Sequence, residues 1–387
     1  MSSEPKIHLD RVTKTYPGTK APAVEELTLD VAEGEILVLV GPSGCGKSTT
    51  LRLINRMIEP SGGRILLDGE DVTKVNPDKL RRRIGYVIQQ IGLFPHQTIA
   101  QNIATVPKML GWDKQRTTEQ VERLMTTVGL DPEQYRNRYP KELSGGQAQR
   151  VGVARALGAD PDIMLMDEPF GAIDPITRNR LQNEFLRVQQ DLRKTIVFVT
   201  HDIDEAIKMG DRIAILGERS RIRQIDTPER ILAYPIDDFV DDFIGTGATI
   251  KGLDFLKVDS VRLAEYPSIS VQDSAETGAR KLADSSREWL VLTDEQDRPV
   301  RWLRKDDLDG PASGWSSAGE EMGDVLRSDD TLYQALEVMV QSAASITCVV
   351  DDQGRFAGVV EIAHLSKAVR RAQYEAQRHY EDLEAQS

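Results

Sequence analysis

The chain of 387 residues has no apolar run near the roughly 20 residues needed to cross a bilayer. Its most apolar run, residues 36–40 (ILVLV), has the length of a strand. The N-terminus lacks the basic and apolar regions of a secretory signal. Two cysteines cannot form a disulfide framework, and they fit a reducing cytosol. We therefore exclude membrane-spanning, collagenous and small secreted classes and expect two or three globular domains.

Basic residues are outnumbered, since 49 Lys and Arg face 62 Asp and Glu, giving a formal charge of −13. Residues 251–387 hold 16 of the basic and 26 of the acidic side chains, so this third carries most of the excess. A net-acidic chain argues against nucleic-acid binding as the main function. The acidic third would also be repelled by anionic lipid headgroups unless salt screens it.

Strand and helix patterns alternate over residues 1–245, which indicates a layered α/β domain. The predicted strands are Glu35–Val40, Arg64–Leu67, Ile163–Met166, Ile196–Thr200 and Arg212–Leu216. The predicted helices are Lys47–Met57, Gln147–Leu157, Ile176–Leu192 and Ile203–Met209.

A phosphate-binding loop follows the first of these strands and precedes a helix. The G-x-x-x-x-G-K-[ST] motif is made of Gly41, Pro42, Ser43, Gly44, Cys45, Gly46, Lys47 and Ser48, with Thr49 next. The glycines let backbone N–H groups surround a phosphate chain at a helix N-terminus. We expect Lys47 to reach the β- and γ-phosphates and the Ser48 hydroxyl to ligate Mg²⁺.

Two further predicted strands are followed by side chains that can bind a metal ion or transfer a proton. Asp167 and Glu168 follow an apolar strand, and because adjacent strand residues point to opposite sides they can take different roles. We expect Asp167 to hold Mg²⁺ and Glu168 to act as general base toward water. His201 ends another strand, where a histidine on its own is more often structural.

A second place for an anion lies at the start of a later helix. Ser144, Gly145, Gly146 and Gln147 open it, and their N–H groups would face a negative charge. A serine N-cap with flexible glycines is the alternative interpretation of this segment.

Taken together, residues 7–245 resemble the ATP-binding subunit of ABC transporters. The resemblance carries the phosphate loop, Gln89, the LSGGQ signature, Asp167, Glu168, Asp174 and His201 in the expected order. It implies that Tyr16 stacks on adenine, Gln89 senses Mg²⁺ and a transmembrane partner, and His201 contacts the γ-phosphate. It also implies that Ser144, Gly145, Gly146 and Gln147 complete the site of the opposite copy in a homodimer, with Asp174 communicating between sites.

An importer subunit is the best match among ABC proteins, because one nucleotide domain is present without spanning segments or a coiled-coil insertion. Such a subunit docks on separate permease subunits at the cytoplasmic side of the membrane and works with an extracytoplasmic solute-binding protein. Residues 90–98 (QIGLFPHQT) fit a docking groove for a permease helix; a loop that covers the core is the alternative.

The last third contains a repeat at an offset of 57, seen in residues 294–298 (DEQDR) and 351–355 (DDQGR). It resembles a pair of CBS domains, at 252–309 and 320–370, with residues 310–319 as linker and 371–387 as a charged tail. The nucleotide motif of such domains is incomplete in both copies, since the first has Arg301 at its start and the second has His364 at its end. Four alternatives stay open: a mononucleotide site, cyclic di-AMP, ionic-strength sensing, or a packing module without ligand.

The expected fold is therefore a P-loop ABC ATPase domain over 1–245, with a mixed sheet core and a helical subdomain, followed by an α+β tandem CBS module. This domain order resembles the osmoprotectant importers for glycine betaine, carnitine, choline or proline betaine. We expect an ATPase coupled to transport, with ATP and Mg²⁺ as cofactors. The alternatives are an importer ATPase for another small solute, a non-transport ABC regulator, and a nucleotide sensor in which hydrolysis is secondary.

Overall fold

The computed structural model describes residues 4–88, 92–171, 173–309, 315 and 317–386. The chain forms two compact units, one from residues up to Ile231 with Ile236–Phe243 and one from Leu232–Pro235 with Ile244 onward. The strands are β1 (Ile7–Lys14), β2 (Val24–Val31), β3 (Ile36–Val40), β4 (Gly62–Leu67), β5 (Glu70–Asp71), β6 (Ile84–Val87), β7 (Ile163–Asp167), β8 (Thr195–Val199), β9 (Arg212–Leu216), β10 (Ile222–Asp226), β11 (Ser268–Ser270), β12 (Leu290–Thr293), β13 (Pro299–Leu303), β14 (Glu320–Glu321), β15 (Ile346–Val350) and β16 (Phe356–Glu361). The helices are α1 (Lys47–Ile54), α2 (Pro77–Arg81), α3 (Ile99–Ile103), α4 (Thr105–Met109), α5 (Lys114–Thr127), α6 (Pro132–Tyr135), α7 (Gly145–Ala156), α8 (Pro175–Leu192), α9 (Ile203–Met209), α10 (Pro228–Ala233), α11 (Asp238–Ile244), α12 (Ala248–Gly252), α13 (Ala275–Ser285), α14 (Leu332–Gln341) and α15 (Ile362–Gln386).

The main sheet of the first unit has the order β10-β9-β3-β8-β7-β6, and only β10 runs antiparallel to its neighbour. Every residue of β3, β7 and β8 is buried, because helices or chain cover both faces of a mainly parallel sheet. The carboxyl ends of these three strands meet at one edge, with Leu39 beside Val199 and Asp167 beside the same residue. This edge is where a ligand site forms in open α/β sheets.

An antiparallel sheet, β2-β1-β4-β5, and a helical segment, α3 to α7, complete the first unit. The five strands predicted from the sequence are observed with ends within two residues of the prediction. The helices predicted at Lys47 and Gln147 are observed as α1, which ends three residues earlier at Ile54, and α7, which starts two residues earlier. The predicted α/β fold class with a mixed sheet is confirmed. Within the described part of the chain, no helix has the length and apolarity of a membrane span.

The second unit repeats helix, strand, acidic turn, strand and helix, as the internal repeat predicts. The two copies exchange segments, however. Ala264, near the start of the first copy, bridges to Val359 of the second, while β14, at the start of the second copy, pairs with β13 of the first. Leu253 and Val258 accordingly pack in the core of the second copy. A simple linear division at 309 and 320 therefore does not describe how the two sheets are built.

One sequence interpretation of this unit needs correction. Residues 310–319 are expected to be a linker, but Trp315 is 1% exposed and belongs to the apolar core of the first copy. The charged tail 371–387 is expected to be helical or frayed, and its described residues up to 386 continue helix α15 from Ile362. Ala376 on this helix is buried and Tyr380 stacks on Tyr234 with 5.9 Å between ring centroids. Apolar contacts therefore hold Trp315 and the described part of α15 in place.

Candidate functional site

The phosphate loop is shaped by glycines that no other residue can replace. Gly41 and Gly46 have φ of +154° and +116°, outside the usual range of residues with a Cβ. A Cβ on Gly41 would overlap the carbonyl oxygen of Leu216, and one on Gly46 would lie 2.7 Å from that of Ala23. The turn of the loop and its close packing against neighbouring backbone therefore both require glycine at these two positions.

Lys47 is buried in this loop, at 6% exposure. Its ammonium donates to the carbonyl oxygens of Gly41 and Pro42 at 2.6 and 2.9 Å. The cation thus lies over the loop, where an anionic ligand would gain a charge-assisted partner. Of the other loop residues, Ser43 and Gly44 are exposed, Cys45 is buried and Thr49 is half-buried on α1.

Ser220 braces this loop from a position 175 residues away in the chain. Its backbone N–H and its hydroxyl both donate to the carbonyl oxygen of Cys45, at 2.6 and 3.1 Å. Ser220 is fully buried and has φ of +60°. Sequence reasoning missed this residue, because no local motif marks a serine that acts on a loop distant in sequence.

Asp167, the last residue of β7, meets the start of α1. Its Oδ1 accepts a hydrogen bond of 2.9 Å from the Ser48 hydroxyl. Burial raises the pKa of Asp167; the Ser48 hydrogen bond opposes this shift, as do the charges of Arg52 and Lys47, while Glu168 adds to it. Ser48 and Asp167 thus present two oxygens side by side, the ligand type that Mg²⁺ prefers.

Glu168 follows in a left-handed conformation, with φ of +44°, while its N–H donates to the Val199 carbonyl oxygen at 2.9 Å. This turn places its Oε1 3.2 Å from Nδ1 of His201. His201 is 60% exposed on its side chain, so it faces open space at the edge rather than the core. His201 is therefore not a core residue, and its imidazole forms one polar pair with the Glu168 carboxylate.

The signature segment lies at a different place in the first unit. Ser144 caps α7, accepting from the Gln147 N–H at 3.3 Å, while Gln147 Oε1 accepts from the Ser144 N–H at 2.9 Å. Gln147 also donates to the Tyr135 hydroxyl at 3.0 Å. This geometry is that of the capped-helix alternative, in which the N–H groups of Ser144 and Gln147 are bonded within the cap, and the anion site stays a prediction.

A cleft of about 370 Å³ opens at this helix start, and among its lining residues are Ser144, Gly145, Gly146, Gln147 and Asp174. Asp174 caps α8 by accepting from the Thr177 N–H, and this hydrogen bond lowers the pKa of the carboxyl. None of the described residues of the phosphate loop lines the cleft. The fold therefore brings the signature and Asp174 together and leaves Lys47 and Glu168 at the sheet edge.

Two predicted site residues need separate mention. Tyr16 lies just beyond β1, half-buried, with the Lys14 ammonium 5.3 Å from the ring centroid. Gln89 lies outside the described residues, so its predicted role keeps the status of a sequence prediction.

In the second unit, the last positions of the two incomplete nucleotide motifs, Asp307 and His364, bond to nearby backbone. Asp307 accepts from the Arg304 N–H at 2.7 Å, and His364 accepts from the Glu361 N–H at 3.0 Å, so both cap a strand-to-helix turn. Glu361 also accepts from Arg287 at 2.6 Å and from the Tyr266 hydroxyl at 2.9 Å. Burial raises the pKa of Tyr266 to about 12.

The ABC transporter family profile matches residues 24–171 and the CBS domain profile matches residues 325–371. The chain is 44% identical, over 93% of its length and 95% of the relative, to the glycine betaine/carnitine/choline transport ATP-binding protein OpuCA of Bacillus subtilis (strain 168). It is 42% identical to the osmoprotectant import ATP-binding protein OsmV of Salmonella typhimurium (strain LT2), over 92% of this chain and 94% of that one. The chain belongs to the osmoprotectant importer family of ABC transporter ATP-binding proteins. Its predicted family and enzyme class, a transport-coupled ATPase that binds ATP, are confirmed.

Solved structures of ABC ATPases agree with this assignment of the first unit. The dimeric structure of MJ0796, a bacterial ABC transporter cassette, superposes with a TM-score of 0.51 at 33% identity, covering 57% of this chain and 98% of that one. Its post-hydrolysis state bound to ADP and Pi gives the same TM-score at 32% identity and the same coverage. In this osmoprotectant importer family protein, the ABC profile starts at β2 and ends after Glu168, so it includes the phosphate loop, Asp167 and Glu168, while β8 and His201 lie beyond the matched residues.

Proposed function

We propose that this ABC ATPase powers the import of quaternary-amine osmoprotectants: glycine betaine, carnitine, choline or proline betaine. The single observation that carries the ATPase assignment is the meeting of Ser48 with Asp167 and of Glu168 with His201 at one sheet edge beside the phosphate loop. The solute class is supported by relatives that carry such names and match more than nine-tenths of the chain.

ATP fits the phosphate loop, because the positive φ angles of Gly41 and Gly46 turn the backbone at the start of α1 and Lys47 supplies a buried cation. We assign the loop from Gly41 to Thr49 to the phosphates and Tyr16 to the adenine ring. Mg²⁺ fits the oxygens of Ser48 and Asp167, with Gln89 as a third ligand carried over from the sequence prediction. When bound, the cation neutralises charge on the phosphate oxygens.

Glu168 is the proposed general base. Its carboxylate stands at the open edge of the sheet, where it can accept a proton from water that attacks the γ-phosphate. His201, 3.2 Å from that carboxylate, would orient it and donate toward the γ-phosphate. Water attack in line with the leaving oxygen then needs no further base.

Two copies of the chain form the proposed active unit. The signature cleft and the phosphate loop have separate linings within one chain, so the signature of one copy would close over the ATP of the other. Ser144, Gly145, Gly146 and Gln147 would donate toward the γ-phosphate and ribose, and Asp174 would connect the two sites. The MJ0796 cassette, whose structure is dimeric, supports two copies as the active unit.

The homodimer would dock on separate permease subunits at the cytoplasmic side of the membrane, with an extracytoplasmic solute-binding protein delivering the solute. The described part of the proposed docking segment exposes Phe94, which is 39% exposed. We propose ATPase and CBS domains with the boundaries given by the sequence, 1–245 and 252–370. The CBS module would regulate transport, through cyclic di-AMP or ionic strength.

The test combines a hydrolysis-deficient variant with uptake. Glu168→Gln should lower ATP turnover by about 10²–10⁴-fold, the contribution of a general base, while ATP-dependent dimers persist in size-exclusion chromatography. Glu33→Gln, at a carboxylate 79% exposed, is the matched control and should leave turnover unchanged. Normal turnover in Glu168→Gln would refute the assigned base.

The solute is tested by uptake of labelled glycine betaine, carnitine and choline in cells whose only osmoprotectant importer is this system with its permease. Uptake should be lost with Glu168→Gln and kept with Glu33→Gln. A protein that hydrolyses ATP but never copurifies with a permease would favour the non-transport regulator instead.

A further inference from the structure

Helix α7 joins the signature to the docking segment. It runs for 12 residues from the Ser144 cap, so its two ends lie about 18 Å apart on one rigid element. Its first turn lines the signature cleft. Its last turn carries Arg155, which is half-buried.

Arg155 makes two contacts with the described part of the proposed docking segment, residues 92–98. Its Nη1 donates to the Gly92 carbonyl oxygen at 2.6 Å, and its guanidinium carbon lies 5.9 Å from the ring centroid of Phe94. The contact joins a planar cation to both a carbonyl dipole and an aromatic face, and a lysine lacks the planar guanidinium with its fixed fork of donors. Burial lowers the pKa of Arg155, which agrees with a guanidinium held between protein groups.

The segment that Arg155 grips is itself held in one shape. Asn102 is fully buried, and its Oδ1 accepts from the Phe94 N–H at 2.8 Å. Its Nδ2 lies 3.0–3.2 Å from the carbonyl oxygens of Phe94, Gln97 and Thr98. A displacement of Gly92 is therefore passed along residues 92–98 rather than absorbed by them.

The signature end of α7 is equally well fixed. Gln147 is tied to Tyr135, and Arg150 forms a salt bridge to Glu184 on α8 at 2.9 Å. The helix thus has polar anchors at its start, middle and end. A movement of Ser144 is therefore transmitted to Arg155, because one continuous helix, α7, connects the two residues.

We propose that Arg155 is a positioning residue that couples closure of the signature over ATP to the segment Gly92–Thr98 that faces the permease. The proposal rests on the proposed dimer and permease partner, and it adds the path between them. Closure at Ser144 shifts α7 along its length, and Arg155 carries Gly92 and Phe94 with it.

Hydrogen–deuterium exchange tests the coupling in the full chain without the permease. In the Glu168→Gln background, adding ATP should slow exchange of the 92–98 amides by about tenfold, the effect of one charge-assisted hydrogen bond or more. Arg155→Gln should remove that change and keep the slowing at residues 145–147. Arg155→Lys, which conserves charge and fold, should keep less than half of it. Arg123→Gln, whose arginine bonds to Gln120 on its own helix, is the control.

The outcomes separate the two proposals. If the Arg155→Gln and Arg155→Lys variants form the ATP-dependent dimer and ATP still slows exchange at residues 92–98 in both, only the role of Arg155 is overturned. Absence of any ATP-dependent dimer in the Glu168→Gln chain would overturn the proposed function, and this inference with it. In the permease complex, Arg155→Gln should raise the ATP consumed per solute imported at least several-fold, whereas Arg123→Gln should not.

Discussion

Two glycines of the phosphate loop differ in what surrounds them, which allows a matched comparison. Gly44 has φ of +82° and a Cβ there would meet open space. Gly46 has φ of +116°, and a Cβ there would overlap the Ser220 hydroxyl and lie 2.7 Å from the carbonyl oxygen of Ala23. We therefore predict that Gly46→Ala destabilises the ATPase far more than Gly44→Ala.

The magnitudes follow from the two environments. At Gly44, alanine destabilises the fold by left-handed backbone strain alone, about 1–2 kcal/mol. At Gly46, backbone strain of about 1–3 kcal/mol is joined by overpacking of about 1–3 kcal/mol, because the Ala23 carbonyl belongs to the backbone and cannot move aside. The expected sum is about 4 kcal/mol for Gly46→Ala.

Thermal unfolding and nucleotide binding measure the difference. For a unit of this size, about 1 kcal/mol of destabilisation shifts Tm by about 2–4 °C. We therefore expect Gly46→Ala to lower Tm by about 10 °C and Gly44→Ala to lower it by about 4 °C. Gly46→Ala should also lose binding of a fluorescent ATP analogue, since Ser220 would be pushed off the Cys45 carbonyl. Equal shifts for the two variants would refute the packing argument.

Two more predictions concern buried groups away from the phosphate loop. Burial raises the pKa of Glu205, against hydrogen bonds from Thr200 and Gln182, so its carboxyl favours folding at low pH and this contribution is lost as the pH rises through the folded value. Glu205→Gln should therefore raise Tm relative to the native chain more at pH 8 than at pH 5 in thermal melts, and the reverse trend would contradict this. Trp315→Ala should destabilise the second unit by about 3–5 kcal/mol in urea unfolding, whereas a mere linker residue would cost less than about 0.5 kcal/mol.

The proposed site residues could be predicted from the sequence because each lies where a recognisable element begins or ends. Lys47 and Ser48 follow a strand–loop signature, and Asp167 and His201 end apolar strands whose parallel packing brings their tips to one edge. The alternating strands and helices predict that edge, because right-handed crossovers make the strands parallel and bring their carboxyl ends to the same side of the sheet. The contact between Ser48 and Asp167 follows from topology alone.

The supporting residues could not be predicted, because their partners are chosen by tertiary packing. Ser220 reaches a carbonyl 175 residues away, and Arg155 reaches one 63 residues away. Neither belongs to a motif with fixed spacing. Backbone carbonyls as acceptors leave no trace in the sequence, so such contacts are visible only once the chain is folded.

The second unit shows a different limit. The offset of 57 predicted the element order, and it also relates Ile269 on β11 to Leu326, which bridges to Val349 as β11 pairs with β12. Yet a linear repeat does not reveal that each copy completes its sheet with a segment next to the other copy. Edge strands need a partner from somewhere, and exchange between copies supplies it.

The separation of the signature cleft from the phosphate loop decides how the proposed importer works. Each chain holds the proposed phosphate site at the sheet edge and the signature cleft elsewhere, so in this proposal neither part can enclose the γ-phosphate alone. In the proposed dimer, ATP therefore favours the closed state only while its γ-phosphate bridges Lys47 of one copy and Ser144 of the other. Because Ser144 and Arg155 share α7, loss of that bridge on hydrolysis would release the 92–98 segment in the same step.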